Sequence, residues 1–285
     1  MFEKTKSGGI TFSFDTPDTV TSVEFSPFDQ SSQLIAYGDG MRVSVGICRF
    51  EVEEEDNDID GFEFEHLRDF HHGTRVHCIA WNPETTLEML PRQVKFCTAG
   101  ADSQLRIFSS DLKETDSVKV LEGHTGYIND VIFEPTQGQQ LASVGDDHTC
   151  RIWDSDGQQR ACFPLYSPGM SVGWHPDEPV KLMVAEKKGT IRMYDLTTQQ
   201  PIMSLDAGHV TLLAADICYC DPVRIGGIAN GNWMIWDSTR SSLPQESRQA
   251  HNEGGRHFKW SLVSENLFAT TGQNQVKVFH IGHSQ

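Results

Sequence analysis

The sequence has few of the features that mark secreted, membrane-spanning or nucleic-acid-binding proteins. Its first ten residues, MFEKTKSGGI, hold no apolar core of a signal peptide, and no run approaches the roughly 18 apolar residues that a membrane helix needs. The seven cysteines form no CxxC pair and no Asn-x-Ser/Thr sequon occurs, which favours a reducing cytosolic or nuclear compartment. The net charge is −17, and the sequence has no cluster of basic residues that would bind the phosphate backbone of a nucleic acid. We therefore expect neither membrane insertion nor direct nucleic-acid binding.

The motifs of common active sites and metal sites are also missing. No glycine-rich phosphate loop, GxSxG nucleophile elbow or HExxH motif occurs, and no spacing selects a serine, histidine and aspartate trio. The pair His71-His72 and the pair Cys218 and Cys220 each lack a second pair at metal-ligand spacing. The sequence predicts no catalytic residues, no cofactor and no bound metal.

Negative charge is concentrated in residues 51–60 (EVEEEDNDID), which hold seven acids and no base. The end of this segment, with the following glycine, resembles the start of a calcium loop. However, Leu67 stands where the bidentate glutamate belongs, and no helices flank the segment. We therefore interpret residues 51–60 as a solvated acidic loop inserted between two strands.

Residues 118–154 have the pattern of a repeated β unit. They contain Gly123-His124, end on Trp153-Asp154, and hold three short alternating apolar runs between turn residues. Positions equivalent to Trp153 follow it at intervals of 41, 42 and 43 residues and precede it by 45 and then 63: Tyr194, Trp236, Phe279, Phe108 and Val45. A Gly-His…Trp-Asp unit with a period of about 40–45 residues is the signature of a WD40 β-propeller blade.

A second marker, an aromatic residue two positions before proline, recurs in parallel as Phe25, Trp81, Phe133 and Trp174. Two independent markers with one period predict an all-β WD40 propeller, a single domain over residues 1–285, with six repeats. Residues 10–14 alternate and are expected to form an N-terminal strand that completes the last blade. Because the chain stops just after the third strand of the sixth repeat, we expect the last blade to be incomplete and a C-terminal blade to be missing.

The best-formed repeat supplies the four side chains of a WD40 tetrad. His124 precedes the first strand, Ser143 lies in the second, Asp147 lies in the following turn, and Trp153 lies in the third strand. Hydrogen bonds in series are expected to link them and to fix the turn to the blade. Such a set resembles an active site, but a buried and fully satisfied network specifies a fold without a substrate.

The other repeats keep this pattern only in part. The second repeat has His72, Thr98 and Asp102 at matching places, but Phe108 replaces tryptophan and removes the indole donor. In the later repeats Lys188 and Asn230 stand where the aspartate belongs. The tetrad residues recur at regular spacing and are lost step by step in the later repeats. This pattern favours a structural role for the tetrads of the second and third repeats.

Several stretches resemble one family beyond the generic repeat. They are LIAYG, FHHG, VLEGHT, DDHTCRIW, SPGMSV with WHP, KLMVAEK and SENLFATTG, spread over about residues 20–272. SPGMSV, KLMVAEK and SENLFATTG are not generic WD40 sequence. They resemble the nucleoporin 37 family, the small WD40 members of the Y-shaped scaffold complex of the nuclear pore.

The resemblance implies a seven-bladed, non-enzymatic propeller that is not an obligate homo-oligomer. It implies docking on the large 160-kilodalton nucleoporin, within a complex that contains the other Y-complex nucleoporins. It also implies location in the nucleus, at the nuclear envelope and the nuclear pore complex, and at kinetochores in mitosis.

Two other functions remain open on the residues alone. A WD40 adaptor or reader could hold a short basic peptide in a ligase or chromatin complex, which the acidic charge permits. A propeller enzyme is the third possibility, although no catalytic trio recurs. Because propeller loops carry function, the candidate surfaces are the acidic insertion and the non-repeating segments 167–169 and 240–246.

Overall fold

The computed structural model describes residues 12–50, 61–90, 92–113 and 116–281. Nearly all regular structure in these residues is β-strand, and the helical structure within them is one 3₁₀ turn, Asp29–Ser31. Within the same residues no helix is long and apolar enough to span a bilayer.

The strands form six antiparallel sheets, here called blades, and each blade uses strands that are consecutive in the sequence. Blades one to three contain β1 (Val20–Phe25), β2 (Leu34–Asp39), β3 (Arg42–Phe50), β4 (Phe62–His71); β5 (Val76–Trp81), β6 (Val94–Gly100), β7 (Leu105–Ser110), β8 (Asp116–Leu121); β9 (Ile128–Phe133), β10 (Gln140–Gly145), β11 (Thr149–Asp154) and β12 (Gln159–Pro164). Blades four to six contain β13 (Gly169–Trp174), β14 (Lys181–Glu186), β15 (Thr190–Asp195), β16 (Gln200–Asp206); β17 (Leu212–Ile217), β18 (Arg224–Ala229), β19 (Asn232–Asp237), β20 (Glu246–Gln249); β21 (His257–Trp260), β22 (Leu267–Thr271) and β23 (Val276–His280).

The blades are arranged as a propeller. The first strand of each blade packs on the first strand of the next, in the order β1, β5, β9, β13, β17 and β21. Within the described residues five blades have four strands and the sixth has three, so the prediction of an all-β propeller with six repeats and an incomplete last blade is confirmed for this part of the chain. The resemblance implies seven blades, whereas the described residues hold six. The acidic insertion 51–60 joins β3 to β4 and lies outside the described residues.

Tryptophan side chains tie consecutive blades together at the ends of their first strands. The indole Nε1–H groups of Trp81, Trp174 and Trp260 each donate to a backbone carbonyl oxygen of the preceding blade, at 3.1, 3.4 and 3.2 Å. In every case the acceptor is the next-to-last residue of the preceding first strand. The aromatic-x-Pro marker found in the sequence therefore includes residues at a contact between blades.

Five clusters of buried apolar side chains lie between the six consecutive blades. Between blades two and three, Leu105 and Ile107 of one sheet pack against Val131, Phe133 and Trp153 of the next. Each of the four inner blades thus uses the side chains on both of its faces, one set for each neighbour. Burying a large aliphatic or aromatic side chain contributes about 1.5–3 kcal/mol, so these clusters supply most of the favourable packing energy.

The first blade departs from the repeat at the position that Trp153 occupies in the third. Register across β1, β2 and β3 pairs Phe25 with Ile35 and Ile35 with Gly46, which makes Gly46 the equivalent position. The sequence marker Val45 is therefore wrong by one residue, and in a strand one residue moves a side chain to the other face. A Cβ atom at Gly46 would collide with the ring of Phe64, which fills the place of the missing side chain.

The predicted N-terminal strand 10–14 differs from the structure. Residues 10 and 11 lie outside the described residues, and residues 12–14 form no strand. Phe12 stacks on Phe62 at 5.5 Å between ring centroids, and Phe14 stacks on Phe64 at 3.9 Å. Aromatic stacking on β4 thus holds this segment against the first blade, where the prediction had placed it in the last one.

Asp130 of β9 links the third blade to the fourth. Its Oδ2 accepts the backbone N–H of Val172 in β13 at 2.9 Å, and its Oδ1 accepts the N–H of Val131 at 2.9 Å. Burial raises the pKa of Asp130 to about 6, although the charge of Lys259 and the two backbone hydrogen bonds act in the opposite direction.

This raised pKa predicts a specific pH dependence of stability. Because the folded protein holds the Asp130 proton more tightly than the unfolded chain, whose pKa is near 3.8, this contribution is fully present below about pH 4 and is lost as the pH rises through about 6. Asp130→Asn cannot ionise. We expect the free energy of unfolding of the wild type, relative to this variant, to be about 1–2 kcal/mol larger near pH 4.5 than near pH 7.5.

Urea denaturation at the two pH values measures this difference. Asp177→Asn, at an exposed carboxyl group in the loop after β13, is the matched control and should show no such change. If the wild type and Asp130→Asn differ in stability by the same amount at both pH values, the titration of Asp130 in this range is contradicted.

Candidate functional site

Four side chains of the third blade form one hydrogen-bonded series. His124, in the loop before β9, contacts Asp147 Oδ2 through Nδ1 at 2.9 Å and Ser143 Oγ through Nε2 at 2.8 Å. Trp153 of β11 donates its Nε1–H to the same Ser143 oxygen at 2.9 Å. The structure thus brings His124, Ser143, Asp147 and Trp153 together, although they are spread over about thirty residues of sequence.

Asp147 fixes the turn between β10 and β11 to the loop that carries the histidine. Its Oδ1 accepts the Thr149 N–H at 3.1 Å and the Thr149 hydroxyl at 2.8 Å, and its Oδ2 also accepts the Thr125 N–H at 3.1 Å. Burial alone would raise the pKa of Asp147, but these hydrogen bonds and the nearby His124 hold it below its ordinary value. The carboxylate is therefore charged and fully partnered.

Burial lowers the pKa of His124, so its imidazole is neutral near pH 7. A neutral ring that donates from Nδ1 to the Asp147 carboxylate has Nε2 available as an acceptor for the Ser143 hydroxyl proton. Donation then runs in one direction along the series: the Trp153 indole donates to Ser143, the Ser143 hydroxyl donates to His124, and the His124 imidazole donates to Asp147.

This geometry resembles the serine, histidine and aspartate triad of a hydrolase, but no substrate can reach it. Ser143 is 0% exposed and its oxygen already accepts the Trp153 proton. The side chains of His124 and Asp147 are 1% and 4% exposed. A nucleophile must meet its substrate, so the arrangement fits an internal brace of the blade.

The second blade keeps the first half of this series. His72 Nε2 contacts Thr98 Oγ1 at 2.9 Å, and its Nδ1 contacts the Thr74 carbonyl oxygen at 2.8 Å. Phe108 lies beside it, with ring centroids 6.1 Å apart, and offers no donor. Burial, with a smaller effect of the Arg106 charge, lowers the pKa of His72 to about 4, so this ring is neutral.

Asp102, predicted to join His72 in the second-blade tetrad, pairs with another residue. Its carboxylate accepts from the Arg106 guanidinium at 3.1 and 2.5 Å, and its side chain is 34% exposed. In the second blade the Nδ1 atom of His72 contacts the Thr74 carbonyl oxygen, whereas in the third blade the Nδ1 atom of His124 contacts Asp147. The predicted second-blade set His72, Thr98, Asp102 and Phe108 is therefore only partly joined.

The fourth blade uses a buried glutamate in place of the tetrad. Glu186 Oε2 accepts the N–H groups of Tyr166 and Ser167 at 2.8 and 2.9 Å, and the carboxylate is ion-paired with Arg192. The Glu186 side chain is 2% exposed, and Ser167 Oγ accepts the N–H of Lys188 at 3.1 Å. Here a carboxylate on β14 performs the task that the aspartate in the turn performs in the third blade.

A third histidine pair lies in the sixth blade. His251 Nε2 contacts Thr270 Oγ1 at 2.9 Å, with both residues buried. The sequence separation of 19 residues is that of His124 and Ser143, and this spacing is the signal that could have found the pair. Phe279 replaces the tryptophan, which hid the pair from a search based on Trp-Asp.

The two proposed binding segments differ in exposure. Ser167 is 1% exposed and Gly169 begins β13, so residues 167–169 are part of the blade contact and form no open surface. Residues 240–246 are mostly exposed and run from the loop after β19 to the first residue of β20.

In the described part of the chain no three histidine, cysteine or acidic residues are grouped as metal ligands. Cys218 is buried and Cys220 is exposed.

Comparison with known proteins places this architecture in a family. The model of the WD domain, G-beta repeat, matches residues 64–109 and 115–154, which contain the second-blade and third-blade networks. Nucleoporin Nup37 of Mus musculus is 52% identical over 281 residues, which covers 96% of this chain and 86% of the mouse protein. The chain belongs to the Nup37 family.

Other members and a solved structure extend the comparison. Nucleoporin Nup37 of Homo sapiens is 50% identical, covering 98% of this chain and 87% of the human protein, and that of Drosophila melanogaster is 37% identical, covering 72% and 66%. A chain of the crystal structure of a mitotic checkpoint complex aligns with a TM-score of 0.73 over 94% of this chain and 76% of that one. At 20% identity this likeness concerns the fold alone.

The third-blade series predicts unequal costs for two aspartates in corresponding turns. Asp147→Ala should lower the free energy of unfolding by about 1–3 kcal/mol, because it leaves the buried His124 and the turn N–H groups without their acceptor. Asp102→Ala, which removes a partly exposed ion pair, should cost less than about 1 kcal/mol. Urea denaturation of both variants measures this, and equal losses would contradict the special role of Asp147.

The fourth-blade pair predicts strong coupling. Glu186→Ala should cost about 2–4 kcal/mol, because the partly buried Arg192 charge and two backbone N–H groups lose their partner. In a double-mutant cycle, Arg192→Ala should cost much less when Glu186 is already alanine. Additive losses in the double variant would show that the two side chains act independently.

Proposed function

We propose that this Nup37-family chain is a non-enzymatic scaffold subunit of the outer-ring, Y-shaped subcomplex of the nuclear pore, docked on the large 160-kilodalton nucleoporin. In this role it supports pore assembly and nucleocytoplasmic transport, and it accompanies the complex to kinetochores in mitosis. Its place in the cell is then the nuclear envelope, with other Y-complex nucleoporins as neighbours.

One observation carries the non-enzymatic part of the proposal. The single triad-like arrangement found in the described residues has a serine that is 0% exposed and already accepts an indole proton. Without access to Ser143 and His124, hydrolysis at this place has no route. The wide rims of six blades remain as rigid surfaces for protein contacts.

Family membership supports the scaffold part. The relatives of 52% and 50% identity are nucleoporins by name, and the alignments run through nearly the whole chain rather than through one repeat. A single shared repeat would indicate only the propeller fold, which hosts many functions.

Recovery of partners tests the proposal directly. The tagged chain, added to nuclear extract, should recover the 160-kilodalton nucleoporin with other pore scaffold proteins. Histones or ubiquitin-ligase subunits recovered without pore scaffold proteins would contradict it and favour a reader of basic peptides. Hydrolase activity that disappears in an Asp147→Asn variant of unchanged stability would contradict the non-enzymatic part.

A further inference from the structure

Two adjacent lysines lie in the turn between β14 and β15. Lys187 and Lys188 are both exposed. Neither forms an ion pair with a described residue, whereas Arg192 of the same blade is paired with Glu186. In a chain with a net charge of −17, two neighbouring bases without an acidic partner are a distinct surface feature.

The third blade has acids at the equivalent positions. Asp146 and Asp147 occupy its turn, and the Asp147 side chain is 4% exposed because it is bonded to His124 in the buried series. In the fourth blade Glu186, the last residue of β14, accepts the backbone N–H groups of the preceding loop instead. The side chain of Lys188 therefore takes no part in bracing the blade and is available to a ligand.

Hydrogen bonds fix the backbone of this turn on both sides. The Lys187 N–H donates to the Pro168 carbonyl oxygen at 2.9 Å, and the Lys187 carbonyl oxygen accepts the Leu212 N–H at 3.0 Å. The Lys188 N–H donates to Ser167 Oγ at 3.1 Å. The two lysine side chains thus extend from a fixed turn that lies beside the loop before β13.

Tyr166 in that loop adds an aromatic surface. It is 78% exposed, and the Arg192 guanidinium carbon lies 4.6 Å from the centroid of its ring. The Tyr166 N–H donates to Glu186 Oε2 at 2.8 Å, and the same carboxylate is paired with Arg192. Because the cation–π contact and this hydrogen bond already hold the tyrosine, a ligand that covers the ring loses little free energy in ordering it. Tyrosines of this kind are favourable anchors for protein contacts.

We propose that Tyr166, Lys187 and Lys188, here called the lysine platform, bind a short acidic segment of a partner protein. Because the Glu186 carboxylate balances the charge of Arg192, the two lysines leave an uncompensated positive charge on this surface. Carboxylates of the segment pair with the two ammonium groups, and an apolar side chain next to them packs on the Tyr166 ring. The inference goes beyond the proposed function, because docking on the large nucleoporin does not require this contact.

Charge favours a protein segment over a nucleic acid at this place. A nucleic-acid strand carries a phosphate at every nucleotide, and a protein of net charge −17 repels the phosphates that lie beyond the two lysines. A short peptide can place a few carboxylates on the lysine platform and leave the rest of its length uncharged. Residues 51–60 of a second copy are also an acidic segment, so the oligomeric state belongs to the test.

Charge reversal on the lysine platform tests the proposal, with a fluorescein-labelled peptide of glutamates around a central leucine as the probe. Lys187→Glu and Lys188→Glu should each weaken binding, measured by fluorescence anisotropy at low salt, at least about fivefold. Tyr166→Ala should weaken it at least about threefold, because the leucine loses its contact. Lys113→Glu, at an exposed lysine in the loop after β7, changes the net charge equally and should bind within about twofold of the wild type. Because all four side chains are exposed, melting temperatures should stay close to that of the wild type.

Other ligands of the lysine platform are distinguished by the same variants. A peptide with glutamine in place of glutamate should bind the wild type at least about tenfold more weakly, because it has no carboxylates to pair with the lysines. Equal binding of the glutamate peptide to the wild type and to both lysine variants, or no binding to the wild type, would overturn the proposal and leave the proposed function untouched. A single-stranded oligonucleotide that binds more tightly than the peptide, and is lost in the same variants, would overturn the assignment to a protein segment. A dimer of the wild type that Lys188→Glu abolishes and Lys113→Glu preserves would overturn the assignment to a different protein.

Discussion

Packing of one blade on the next is the constraint on which the rest of this structure depends. A β-sheet with two apolar faces is stable in water only when both are covered, and the inner blades meet this need with buried clusters on each side. The indole bonds of Trp81, Trp174 and Trp260 and the carboxylate of Asp130 add directional links across the same contacts. In the part of the chain that the structure describes, no blade covers the outer faces of β1 and β23, and Val23 and Val278 are exposed there.

Different networks of polar side chains hold the loops that connect the blades. The third blade uses the full series from Trp153 to Asp147, the second and sixth use a histidine and a threonine, and the fourth uses Glu186 with Arg192. All of them satisfy buried polar groups at the start of a blade, which explains why the residues vary while the strands do not. A network whose members can be exchanged in this way is typical of structure rather than catalysis.

Periodic features could be predicted from the sequence, and local compensations could not. The two aromatic markers predicted the blades, and the spacing of His124, Ser143, Asp147 and Trp153 predicted their meeting. Gly46 was missed because Phe64 from a neighbouring strand replaces its missing side chain. Glu186 was missed because it lies at the end of β14, whereas the aspartate that it replaces lies in a turn between strands. The N-terminal aromatic residues were assigned to the wrong blade, because alternation alone does not tell which sheet an edge segment contacts. Such contacts depend on three-dimensional neighbours, which one sequence does not display.

The central claim is that the hydrogen-bonded series of the third blade braces the fold and is not a site of chemistry. The most direct test is the reaction of the folded protein with a fluorophosphonate probe, which labels serine nucleophiles that a substrate can reach. Because Ser143 is 0% exposed, the account predicts that this residue stays unlabelled in the folded chain. Labelling of Ser143 that is lost when the protein is unfolded would contradict it.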